Sequence, residues 1–242
     1  MKDILIGGAK QLGIELDENQ LHAFMTYGAL LKEWNEKMNL TAITDDEGIA
    51  VKHFLDSMSA LCTGYVKGSV IDVGTGAGFP GMVLKIAKPE ISLTLLDSLN
   101  KRLKFLGAVC DELHENDVQL VHARAEDAGK DRMLRGKFDT AVSRAVADMS
   151  TLSEWCLPFV KTGGYFLALK GPSSDDELKN AKRAISILGG EVEDVFETQI
   201  PYSDLKHRII IVKKVRQTPM RFPRKPGIAA KNPIEQCYNL SK

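Results

Sequence analysis

Apolar positions in the first quarter of the chain recur at helical spacing. Behind Asp17, a residue suited to cap a helix, Leu21, Phe24, Met25, Leu31 and Trp34 fall on one stripe. A second helix is predicted over 46–62, with Ile49, Val51, Phe54, Leu55, Met58 and Leu61 as its apolar positions. From residue 69 the pattern changes to short apolar runs separated by helical stretches. Strands are predicted at 69–73, 92–97, 118–122, 138–143 and 164–169, and helices at 81–87, 100–115, 151–157 and 175–188. Such alternation argues for an α/β fold, with a mainly parallel sheet covered on both faces. The segments 191–199 and 207–214 predict a closing antiparallel hairpin, turning at 201–204. The chain thus divides into a helical N-terminal extension (1–66), an α/β core (67–215) and a tail (216–242). Within the tail, 219–226 is proline-rich and predicted to be extended.

Composition alters this picture in one respect. The 242 residues carry 32 Lys plus Arg against 32 Asp plus Glu, a net charge of zero. The balance is uneven: 1–66 is net −5, 67–200 net −3 and 201–242 net +8. A basic tail contacts phosphates even when the average is neutral; it also suits a solvated terminus. Cys62, Cys110, Cys156 and Cys237 are widely spaced, which predicts neither a zinc site nor a disulfide framework. No apolar run has the length of a membrane span, and the start lacks a secretory signal pattern. A reduced, cytoplasmic, monomeric protein without metal is expected.

The strongest chemical signal is Val70-Ile71-Asp72-Val73-Gly74-Thr75-Gly76-Ala77-Gly78-Phe79-Pro80-Gly81, an apolar strand entering a glycine-dense turn before a helix. Glycine lets a ligand approach the backbone, at the carboxyl edge of the sheet. The spacing Gly76-x-Gly78-x-x-Gly81, with Asp97 closing the next strand, satisfies a dinucleotide fingerprint. It equally suits an S-adenosylmethionine loop, with the Asp97 carboxylate accepting from both ribose hydroxyls. The closing hairpin favours the second ligand by its likeness to class I methyltransferases, as does Asp72 by its likeness to the acid of their first motif. Downstream, Ala125 and Glu126 follow the third strand, where they suit an adenine ring or simply open a helix. Arg144 ends the fourth strand, placed either to orient an anionic or guanine-bearing substrate or to pair with Asp148 or a nearby carboxylate. His53 and Asp56 are three apart on one predicted helix.

These stretches, together with Trp34-Asn35, Asn39-Leu40-Thr41, His53-Phe54-Leu55-Asp56-Ser57, Asp97-Ser98, Lys101-Arg102, Ser143-Arg144-Ala145, Lys170-Gly171, His207-Arg208 and Pro223-Arg224-Lys225-Pro226-Gly227, resemble the small-subunit ribosomal RNA methyltransferase G family, also called glucose-inhibited division protein B. The resemblance runs from about Trp34 to Pro233. It implies a class I S-adenosylmethionine-dependent methyltransferase (Rossmann-like) fold. The implied activity is methyl transfer to N7 of a guanine in the 530-loop region of 16S ribosomal RNA, free or in the small ribosomal subunit particle. On this basis Asp72, Gly74, Gly76, Gly78, Phe79, Asp97, Ala125, Glu126 and Arg144 are expected to bind the cofactor, with Arg144 also catalytic. Asn39, His53, Lys101, Arg208, Arg221, Arg224 and Lys225 are expected to bind RNA. The competing expectations are an NAD-dependent oxidoreductase and a non-catalytic ribosome-binding adaptor.

Overall fold

The computed structural model describes residues 1–144, 147–172, 174–204 and 206–234. Ala145 of the Ser-Arg-Ala stretch, Cys237 and the end of the predicted tail lie outside the described residues.

The chain opens with α1 (Lys2–Gln11) and α2 (Glu18–Met38). Asp17 caps α2 in a reciprocal box: its side chain accepts from Gln20 N, and Asp17 N donates to the Gln20 side chain. The buried stripe of α2 is Leu21, Phe24, Tyr27, Gly28 and Leu31; Met25 is only half-buried, and Tyr27 takes the inward position. The helix predicted over 46–62 is continuous but not uniformly α. It runs through α3 (Asp46–Gly48), a π-helical stretch (Ile49–Leu55), α4 (Asp56–Met58) and a 3₁₀ segment (Ser59–Thr63). No apolar periodicity distinguishes a π stretch from an α-helix at this length, and π turns are frequent at functional sites.

The remaining chain alternates β1 (Ser69–Val73), α5 (Gly81–Ala87), β2 (Ser92–Asp97), α6 (Asn100–Leu113), β3 (Gln119–His122), α7 (Ala125–Ala128), β4 (Phe138–Arg144), α8 (Met149–Cys156), β5 (Val160–Lys170), α9 (Asp175–Ile187), β6 (Gly190–Gln199), β7 (Lys206–Lys214) and α10 (Ile228–Lys231). The strand order is β3-β2-β1-β4-β5-β7-β6, with β7 antiparallel to both neighbours and the β1–β5 pairs parallel. β5 starts before its predicted position at residue 164, because Val160 pairs with Phe138 across a register shift that absorbs Gly163 and Gly164. The segment 219–226 forms no helix or strand; it is not fully extended, since Phe222 N bonds back to Pro219 O.

Alternation along the strands sorts the core into two layers. Val70, Leu93, Leu95, Val142, Leu167, Ile209 and Ile211 face a cluster shared with Phe24, Tyr27, Phe54 and Phe105. Ile71, Val73, Leu96, Ala141, Phe166, Ala168, Ile210 and Val212 face the other, shared with Leu152, Ala181, Ile185, Phe222 and Ile234. The N-terminal helices therefore pack on one face of the sheet, in the same apolar layer as α5 and α6. The tail packs on the opposite face. The switch point between β1 and β4, where strand order reverses, leaves a crevice at the carboxyl edge.

Candidate cofactor and substrate cleft

A cleft of about 740 Å³ opens at that switch point, a size ordinary for a small-molecule site. One end is formed by Gly74, Thr75, Gly76 and Ala77 after β1, and by Asp97, Ser98, Leu99 and Arg102 after β2. Ala123, Arg124, Ala125, Glu126, Trp155 and Gly227 close one side, while Leu40, Thr41, His53, Phe79 and Arg144 form the other.

The glycine loop is held from behind. Gly74 N and Thr75 N donate to Leu96 O at 2.9 and 3.1 Å, tying the loop to the end of β2. Asp72 Oδ2 accepts from Thr75 Oγ1 at 2.7 Å and Gly81 N at 2.8 Å, so it staples both ends of the turn. Asp72 is fully buried and does not line the cleft, which corrects the expectation of a direct ligand contact. Burial pushes its carboxyl up to about 6. Gly76 sits at φ +61° with open space where a Cβ would stand, so the loop leaves room beside its backbone. Gly78 faces the other way. At φ +97°, a Cβ there would run into Tyr27 Oη and Leu106 Cδ2. Its expected ligand contact is therefore replaced by close packing against α2 and α6, and Tyr27 Oη donates to the neighbouring Ala77 O.

Asp97 Oδ2 accepts from Gly76 N at 2.9 Å and Arg102 Nη1 at 3.2 Å, and Oδ1 accepts from Leu99 N at 2.8 Å. A carboxylate has about four acceptor positions, so capacity remains on Oδ1. Arg102 is partly solvent-exposed. Open backbone at Gly76, a carboxylate with spare acceptor capacity and a mostly apolar side wall together fit a nucleoside with a vicinal diol. The buried Trp155 Nε1–H also lacks a hydrogen-bond partner among the described residues.

The opposite end is an ordered polar cluster on an aromatic floor. His53 stacks on Phe79 with ring centroids 4.4 Å apart, and the Arg144 guanidinium lies over the same ring at 5.0 Å. Arg144 Nη1 donates to Asp56 Oδ2 at 2.7 Å and Lys52 O at 3.2 Å, so the expected carboxylate partner is Asp56 and not Asp148, which caps α8. The other Asp56 oxygen meets His207 Nδ1. Arg144 Nη2 approaches His53 Nδ1 at 3.3 Å, and Thr41 Oγ1 lies 2.8 Å from His53 Nε2. A guanidinium only donates, so Nδ1 accepts and the imidazole proton sits on Nε2, facing Thr41. Desolvation, then the Arg144 charge, lowers His53 to about 4, so the ring is neutral at pH 7.

Of the residues expected to meet RNA, His53 is buried within the cluster just described, and the other six divide into two groups. Asn39 is the left-handed cap of α2 (φ 49°), exposed beside the cleft-lining Leu40 and Thr41. Lys101 is exposed and reaches Met38 O at 3.2 Å, at the same rim. Arg221 and Lys225 are exposed on the tail. Arg208 and Arg224, by contrast, are engaged within the fold. Strand register sets Arg208 opposite Glu197, and it pairs with Glu197 and with Asp175 at 2.6 Å. Arg224 grips the buried Glu154. Sequence reasoning missed Trp155 and Glu154, and gave no role to Gly227 in its singled-out stretch, since nothing in the local pattern links residues some 70 positions apart. Thr41, Asp56 and Arg102 stood inside singled-out motifs without an assigned role.

The family described as rRNA small subunit methyltransferase G matches residues 20–206. Proteins named ribosomal RNA small subunit methyltransferase G are 51% identical in Alkaliphilus metalliredigens, over 97% of this chain and 99% of that one, and 52% identical in Acetivibrio thermocellus, over 97% of each. Among solved structures, TrmN from Thermus thermophilus superposes with a TM-score of 0.52 at 15% identity, covering 69% of this chain and 53% of its own. M. jannaschii TYW2 in complex with AdoMet gives a TM-score of 0.50 at 12% identity, covering 66% and 77%. At such identities these two likenesses speak for the fold alone, a class I methyltransferase sheet ending in an antiparallel strand. With half of its residues identical to these relatives over nearly its whole length, the chain belongs to the rRNA small subunit methyltransferase G family.

Proposed function

We propose that the protein transfers a methyl group from S-adenosylmethionine to N7 of one guanine in the 530-loop region of 16S ribosomal RNA. The observation that carries this reading is the cleft itself. An end built on Gly74, Gly76 and the Asp97 carboxylate adjoins an end where Arg144 and His53 lie over one aromatic ring. The bound cofactor supplies an electrophilic methyl group on a sulfonium.

Guanine N7 carries an in-plane lone pair and no proton, so the attack requires no general base. The cleft agrees: His53 is neutral, and both its nitrogens are engaged in fixed contacts. What the residues contribute is then alignment and exclusion of water. Arg144 is pinned from behind by Asp56 and Lys52 O, while its Nε–H makes no hydrogen bond among the described residues. That group suits the O6 acceptor of a guanine and leaves the N7 lone pair free to meet the methyl group. Phe79 gives both polar groups a ring to pack on, and Asp56 balances the Arg144 charge, so the cluster adds little repulsion toward a cationic donor.

Transfer of labelled methyl from S-adenosylmethionine to unmodified small-subunit RNA, free and in particles, tests the reading. Wild-type protein is expected to label the RNA. Asp97→Ala is expected to fold and to label none. Equal labelling by Asp97→Ala would remove that residue from the cofactor site. Saturable NAD binding without any S-adenosylmethionine binding would replace the reading by the oxidoreductase.

A further inference from the structure

The wall of the cleft that holds Ala125, Glu126 and Trp155 also includes Gly227, which lies beyond the last strand of the sheet. It belongs to a strap, residues 216–234, that returns across α7 and α8. The strap pairs with no strand among the described residues, and side chains of the core hold its backbone. Arg135 donates to Thr218 O at 2.8 Å, Pro219 O at 3.3 Å and Phe222 O at 2.8 Å. Thr151 Oγ1 reaches Ala229 O at 3.3 Å. The firmest anchor is Glu154 on α8, a fully buried carboxylate. It accepts from Arg224 N at 2.7 Å, from Arg224 Nε at 3.0 Å on both oxygens, and from Nη2 at 2.7 Å. A buried bidentate pair of this kind is geometrically strict, because either charge left alone in the interior is heavily penalised.

Three residues after Arg224, Gly227 N donates to Glu126 Oε1 at 3.0 Å, and Gly227, Glu126 and Trp155 line the cleft together. Trp155 follows Glu154 directly, so one turn of α8 supplies both the anchor and part of the wall. The strap is pinned at residues 224 and 229, on either side of the cleft-lining Gly227. The position of that wall, and the orientation of the Glu126 carboxylate it holds, follow from the Glu154–Arg224 pair.

The geometry points to residues 216–234 as a wall of the cofactor cavity, with Glu154 the positioning residue that sets cofactor affinity through Arg224 and Gly227. This rests on the reading of the cleft as a nucleoside-cofactor site. The basic residues of the tail then have separate roles. Arg224 is engaged internally, while the exposed Arg221 and Lys225 flank it.

The test is titration of the full-length protein with S-adenosylhomocysteine, paired with hydrogen exchange over 216–234, for wild type, Glu154→Gln, Glu154→Ala and Arg224→Lys. Each titration is run well below that variant's unfolding midpoint, so that lost folding does not count as lost binding. Wild type is expected to bind and to slow exchange in the strap. Glu154→Ala is expected to speed strap exchange and weaken binding roughly tenfold or more, the effect of one or two lost charge-assisted hydrogen bonds. Glu154→Gln, which still accepts from Arg224 N, is expected to fall between. Should Glu154→Ala fail to fold, Arg224→Lys, which keeps the charge and loses the fork, carries the same comparison. Faster strap exchange at unchanged affinity overturns the wall, and unchanged exchange in every variant overturns Glu154 as its holder. Failure of the wild type to bind overturns the reading of the cleft first, and shows before any variant is compared.

Discussion

His53 shows how one side chain ties the chemistry to stability. Its pKa is lowered from 6.5 to about 4, first by burial and then by Arg144. Between those values the unfolded chain binds a proton that the folded chain refuses. Stability is therefore lost as the pH falls from about 6.5 towards 4, by up to about 3 kcal/mol. In urea unfolding across that range, His53→Gln is expected to remove this part of the slope; an unchanged slope would show that the ring is not buried neutral. Arg144 gives a kinetic counterpart. Lysine keeps the charge but neither spreads over Phe79 nor grips Asp56 while presenting a donor to the cleft. Arg144 stands with His53 over Phe79 and not beside Asp97, so its expected cofactor contact is set aside: Arg144→Lys is expected to leave cofactor affinity near wild type and to slow single-turnover transfer roughly 10- to 100-fold, an effect of about 1.4–3 kcal/mol. A normal rate would take Arg144 out of the substrate end.

Among the secondary-structure elements, the N-terminal helices act on the cleft through the glycine loop. Tyr27 of α2 stacks on Phe79 at 5.6 Å and on Phe105 at 6.2 Å, and its hydroxyl bonds to Ala77 O. Burial holds that phenol well above its ordinary pKa, so it stays a donor. Gly78→Ala is expected to cost roughly 2–4 kcal/mol, from a strained φ together with overpacking. Adding Tyr27→Phe removes the atom that the new methyl meets first. The double variant is therefore expected to be more stable than the two single effects summed, and strict additivity in a thermal double-mutant cycle would contradict the contact. Much of this level was legible in the sequence. Asp17 and the α2 stripe, the β1–glycine loop–α5 unit and the closing hairpin all follow from local capping, periodicity and turn chemistry. Two features were not legible. The π stretch at Ile49–Leu55 has the same composition as an α-helix, yet it decides how His53 and Asp56 both reach Arg144. The side that Gly78 faces depends on where α2 docks, a long-range fact that a glycine fingerprint does not encode.

For the molecule as a whole, zero net charge conceals an arrangement that suits an anionic partner. Lys101 stands at the cleft rim, and Arg221 and Lys225 lie exposed on the strap. Arg208 and Arg224 looked equivalent to them in the sequence. Their carboxylate partners lie far away in the chain or across the hairpin, and only the fold brings them together. Arg221→Ala with Lys225→Ala is expected to weaken RNA binding and to reduce the slope of log affinity against log salt by about one to two. An unchanged slope would return the strap surface to a solvated face. Methyl transfer to a single guanine N7 is the proposed function on which these roles converge, and nucleoside mass spectrometry reads it without intermediaries. Small-subunit RNA lacking the modification would be incubated with the protein and S-adenosylmethionine, then cut into defined fragments. The expected product is 7-methylguanosine in the 530-loop fragment alone, absent with Asp97→Ala. Methyl transfer to another atom or another fragment, or no transfer by a folded protein that binds the cofactor, would refute the assignment.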